Sequence, residues 1–147
     1  MSRKSRDVNA WTERTAPSLD DFEDMAAAAF AGLPETFRTL VADVPCMVSE
    51  FPDDETMHEM QLESEFDILG LFRGVGLPQG GSLGYTGQLP NHIWLYRRPI
   101  LDYWAASEDG ETLGEIITHV LVHEIGHHFG FSDEDMEAIE AEAAASD

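Results

Sequence analysis

Residues 113 to 129, Leu-Gly-Glu-Ile-Ile-Thr-His-Val-Leu-Val-His-Glu-Ile-Gly-His-His-Phe, constrain the fold more than any other stretch. Thr112 with Glu115 three positions later has the form of a capping box, so a helix is predicted from about 113 to about 129. Leu113, Ile116, Ile117, Val120, Leu121 and Ile125 would cover well over half its circumference, which describes a helix packed on most sides. Such a helix belongs at the centre of a domain, yet this one carries His123, Glu124 and His127. Two imidazoles and a carboxylate are costly to bury without a compensating partner.

The spacing suggests that partner. Residues four apart on a helix lie about 40° apart around the axis and about 6 Å along it, so His123 and His127 can direct both rings at one ion. Glu124, about 100° round from His123, can reach a water on that ion without filling a coordination position. The pattern H-E-x-x-H-x-x-G-x-x-D extends to Gly130, a helix stop, and Asp133, an oxygen ligand that can swing back toward the histidines. The expected metal set is therefore His123, His127 and Asp133, with Glu134 and Glu137 as alternatives for the third position. Asp133 could instead cap the last helix. Only twenty residues follow His127, which disfavours a third ligand from a more distant second helix. Two imidazoles and a carboxylate favour Zn2+ among divalent ions.

The remaining histidines carry weaker signals. His119 precedes His123 by one turn and could hydrogen-bond near the site, but a partly buried structural role is the favoured reading. His128 is turned about 100° from His127 and cannot share its ion. His58 and His92 have no supporting pattern, and Tyr85, Tyr96 and Tyr103 are interchangeable candidates for an oxyanion donor.

The rest of the chain reads as support. Its 147 residues, 43% hydrophobic, fit one domain with a modest core. Residues 1–17 read as a flexible arm and 18–147 as the domain. Ser18 starts a helix that Gly32 stops; a short helix is expected from Pro34 to Leu40 and strands at 44–48, 66–72 and 92–98. Residues 52–65 read as a loop or frayed helix, 74–96 as an uncharged glycine-rich loop leading into the last strand, and Ile100–Ala106 as a short helix. Ser132 to Asp135 repeats the capping signature and opens an acidic terminal helix.

Eight basic residues against twenty-nine acidic ones give a net charge of −21, which disfavours nucleic acid and anionic membrane surfaces as partners. The lone Cys46 lies in an apolar run and reads as a small buried hydrophobe. No apolar core follows the basic start and no stretch is long enough to span a bilayer, so a cytoplasmic monomer is expected.

His-Glu-Ile-Gly-His-His-Phe-Gly-Phe-Ser-Asp, with Leu69-Gly-Leu-Phe-Arg-Gly and the Tyr85-to-Pro99 segment, resembles the small bacterial zincin-like metallopeptidases, or minimal zincins, over about residues 20 to 140. The family pattern H-E-x-x-H-x-x-G-x-x-D/S falls on His123, Glu124, His127, Gly130 and Asp133. The resemblance implies an α+β fold, a single small zincin-like domain in which a small mixed β-sheet packs with helices beside the motif helix. It also implies a zinc metallopeptidase hydrolysing peptide bonds of a peptide or protein substrate through a metal-bound water. Glu124 would be the general base. Separately, the prominence of the strand from His92 to Arg98 and the absence of charge in the loop before it point to an extended substrate lying along that strand. The alternative is a non-catalytic zinc-binding interaction module with an acidic surface.

Overall fold

The computed structural model describes residues 12–73 and 91–145. Its centre is helix α5 (Leu113–Phe129), with the bounds expected from its signals. The Thr112 hydroxyl accepts from the Glu115 N–H at 3.1 Å while the Glu115 carboxylate accepts from the Thr112 N–H at 2.9 Å. Around it in chain order lie α1 (Leu19–Ala31), α2 (Glu35–Leu40), β1 (Cys46–Ser49), α3 (Asp54–Glu59), β2 (Gly70–Arg73), β3 (His92–Tyr96), α4 (Arg97–Ala106) and, after α5, α6 (Asp133–Ala145). The helix α5 touches α1, α4, α6, β2 and β3. Ile117, Leu121, Val122 and Ile125 are accordingly without solvent exposure, each burial stabilising by about 1.5–3 kcal/mol.

The sheet order is β1-β3-β2, with β1 parallel and β2 antiparallel to β3. This is the expected mixed sheet. Period-two alternation puts Ile93 and Leu95 of β3 fully into the core with Phe22, Phe37, Val41 and Ile100. The sheet meets α5 at Gly70, where an added Cβ would lie 2.7 Å from Val120 Cγ1 and 2.9 Å from the Trp94 carbonyl. Only a glycine allows that approach.

Several boundaries differ from the sequence reading. Within 52–65 a capped helix forms, because the Asp53 carboxylate accepts from the Thr56 N–H at 2.8 Å. That bond and the Thr56 side chain hold the Asp53 carboxyl below its ordinary range. The strand expected at 66–72 is shorter and shifted, Gly70–Arg73. β3 stops at Tyr96, and Arg97 and Arg98 open α4, with Pro99 inside the first turn, where it costs no hydrogen bond. Most of the expected N-terminal arm and of the glycine-rich loop lies outside the described residues; Pro17 gives its carbonyl to Arg97 Nε at 2.7 Å. No described helix is long and apolar enough to cross a membrane.

Because β3 is paired on both sides, it has no free backbone edge for an extended peptide. The proposed position along 92–98 is corrected by this topology. Among the described residues, the edge that adjoins the motif helix is β2.

Candidate metal centre

The motif helix ends as Gly130 predicts. Gly130 takes φ 79° and ψ 24°, its N–H donates to the His127 carbonyl at 3.2 Å, and the Phe131 N–H donates to the Gly126 carbonyl at 2.8 Å. This is a Schellman closure, with the left-handed residue where a side chain is disfavoured. Phe131 then packs edge-on against Phe37 at 5.1 Å between centroids, which anchors the turn to the core. Ser132 caps α6: its hydroxyl accepts from the Asp135 N–H at 3.1 Å, and the Asp135 carboxylate accepts from the Ser132 N–H at 3.4 Å. The residue that closes this cap is therefore Asp135, and Asp133 stands exposed in the first turn of α6.

The helix α6 runs back along α5 at close range. A Cβ on Gly126 would fall within 2.8 Å of Met136 Cγ and closer still to its sulfur, and Met136 is fully buried. From that crossing, one further turn carries Glu140 to the histidines. Its Oε2 lies 3.0 Å from His123 Nε2 and 3.0 Å from His119 Nδ1. The His119 and His123 rings are 4.1 Å apart, and those of His123 and His127 are 5.8 Å apart at 79°. His123 thus lies between the two other rings of one helix face.

Glu124 faces the sheet. Its Oε1 accepts from the Phe72 N–H on β2 at 3.2 Å. Burial pushes its carboxyl pKa up, while the Phe72 bond and the nearby His127 pull it down. A carboxylate whose ionised form is destabilised by desolvation but held by one donor can exchange a proton more readily than an exposed one. Phe72 also stacks on His128 at 3.9 Å between centroids and 13° between planes, and burial lowers the His128 pKa. His128 is thus packed away from His127, as its helical phase requires.

Of the tyrosines, Tyr85 lies outside the described residues and Tyr103 is exposed. Tyr96 is buried, and burial, with the charge of Glu124 among the smaller influences, pushes its hydroxyl up to about 12. Its hydroxyl is therefore neutral, with Thr56 as a side-chain hydrogen-bond partner.

The donors His119, His123 and Glu140 have a spacing that fits zinc. Zinc–nitrogen and zinc–oxygen bonds of about 2.0–2.2 Å put neighbouring ligands of a tetrahedron about 3.3 Å apart. The 3.0 Å separation of Glu140 Oε2 from His123 Nε2 is near that length. Among the described residues, the His, Cys, Asp or Glu groups whose ligand atoms all lie within 4.8 Å of one another are His119, His123 and Glu140. His127 and Asp133 are not drawn into that group. Glu140 was missed by the sequence reading, though it lies four residues past buried Met136 and three before buried Ala143, on the inward stripe of its helix.

No curated protein gives a significant match to the chain. The sequence model of one family does, described as zincin-like metallopeptidase and matching residues 41–143, which take in the three described strands and the motif helix. With well over half of its length matched, the chain belongs to the zincin-like metallopeptidase family.

Proposed function

We propose that this chain is a zinc-dependent peptidase in which His123 and His127 hold the ion, Asp133 supplies a third ligand, and Glu124 is the general base. The observation that carries the reading is the placement of Glu124. Its carboxylate is half-buried near His127 and bonded to β2, a position that a purely structural zinc site does not require. Zinc, when bound, supplies Lewis acidity toward a carbonyl and toward water. Glu124 takes the proton from the attacking water and returns it to the leaving nitrogen. The bond from the Phe72 N–H keeps the carboxylate aimed while it is charged, and the desolvated setting favours its protonated form during the transfer.

An extended peptide or protein segment would lie along β2, which among the described residues is paired only with β3, with main-chain hydrogen bonds to the β2 groups that Glu124 does not take. Gly70 holds that strand against α5, so the distance between peptide and base is fixed by a backbone contact. Trp94 on neighbouring β3 stacks parallel to Tyr96 at 6.5 Å, which stiffens the sheet behind the strand.

The test is elemental analysis of the purified chain, followed by cleavage of a peptide library by wild type and Glu124→Gln. Loss of the base should lower kcat by about 10²–10⁴-fold while zinc content stays the same. Stoichiometric zinc with cleavage independent of Glu124 would remove the assigned mechanism, and zinc without cleavage would leave the interaction module.

A further inference from the structure

We propose that His119, His123 and Glu140 form a second metal site, overlapping the motif site at His123 and selective for a borderline divalent cation such as Zn2+. The three residues come from two elements held in fixed relation. His119 and His123 are one turn apart on α5, and the antiparallel return of α6 across Gly126 and Met136 brings Glu140 over both. A single carboxylate oxygen is 3.0 Å from each imidazole nitrogen, close to the tetrahedral edge of about 3.3 Å expected for zinc ligands. One cation of bond length near 2 Å can replace the two imidazole protons at that oxygen with little movement of the side chains. The site is partly open, with side-chain exposures of 49% for His119, 26% for His123 and 28% for Glu140, leaving room for water in the remaining position. The net charge of −21 raises the local concentration of cations around it.

Sharing has a consequence. His123 Nε2 has one lone pair, so an ion on His119 and Glu140 takes His123 from the pair with His127. Glu124 is bonded to β2 while the cluster lies against α6, so an ion held there lacks the base. Occupancy of the second site therefore withdraws a ligand from the hydrolytic one. That consequence rests on the peptidase reading; the site itself does not.

The experiment is titration of zinc against a chromophoric chelator. The double variant His127→Ala with Asp133→Asn disables the motif set and should still bind one zinc. Adding His119→Asn or Glu140→Gln to that background should each weaken binding by on the order of 10–100-fold or more. Both positions are partly exposed and both replacements conserve shape, and circular dichroism on each variant checks the fold. Substituting cobalt should give the d–d absorption of a four-coordinate ion in the double variant and not after Glu140→Gln. Absence of zinc binding by the folded double variant, or binding indifferent to both His119 and Glu140, would overturn the proposal. Cleavage by the otherwise unaltered chain, with or without Glu124, reports on the peptidase reading separately.

Discussion

Gly126 occupies a variable position of the motif, and replacing it with alanine tests how the second helix is seated. The new methyl would lie within 2.8 Å of Met136 Cγ and closer to Sδ, in a place where Met136 has no solvent to retreat into. Overpacking of this kind costs about 1–3 kcal/mol. Alanine returns up to about 1 kcal/mol through helix propensity, which leaves a net loss of about 1–2 kcal/mol. For a chain of 147 residues that is a fall in Tm of about 3–6 °C. Met136→Ala alone opens a cavity and costs about 2–5 kcal/mol. In the double variant the methyl meets empty space, so Gly126→Ala should become neutral or stabilising on the Met136→Ala background. The expected coupling is about 2 kcal/mol, measured by urea unfolding of the four chains. Coupling below about 0.5 kcal/mol, the level at which distant sites behave independently, would refute the crossing of α5 and α6 at these residues.

Other perturbations read other joints. Gly70→Ala should cost about 1–3 kcal/mol by urea unfolding, because its methyl would meet the Trp94 carbonyl at 2.9 Å in the central strand, and Val120→Ala should relieve part of the loss. Thr112→Ala removes the hydroxyl that receives the Glu115 N–H and should lower stability by about 1 kcal/mol, with Thr112→Ser close to wild type. Gly130→Ala forces a side chain into φ 79° and should cost about 1 kcal/mol, again by urea unfolding; Gly130→Asn should cost less. Burial pushes the Cys46 thiol from the ordinary 9.0 to about 12, so the contribution of its protonated form is fully present below pH 9 and is lost as pH rises toward 12. Iodoacetamide at pH 8 should label it in guanidinium at a rate at least about 100-fold above that of the native chain, and comparable rates would show an accessible thiol.

The motif helix was legible because every signal for it is local. Thr112 and Glu115 mark its start, Gly130 its end, and the apolar positions between them announce a core element, so its bounds could be read to the residue. Boundaries failed where a tertiary contact decided them. Phe66 to Leu69 has the composition of a strand, but β2 begins at Gly70, the position whose missing side chain lets the chain approach Val120 and the Trp94 carbonyl. Arg97 continues the alternation of β3 in sequence, yet its guanidinium is bound to Glu50 at 2.7 Å and to the Pro17 carbonyl, and the backbone turns into α4 there. The same limit applies to the metal centre. Helical spacing shows which residues share a face of their own helix, so His119, His123 and His127 are visible as a column. What stands across from that column depends on where α6 crosses α5. That crossing is set by Gly126 and Met136, neither of which carries metal chemistry. Asp133, the nearer acid in sequence, stands exposed in the first turn of α6, while Glu140, one turn beyond the crossing, meets His119 and His123. The glycine between the motif's glutamate and its second histidine therefore has a structural role: it fixes which carboxylate of the acidic terminal helix reaches the histidine column.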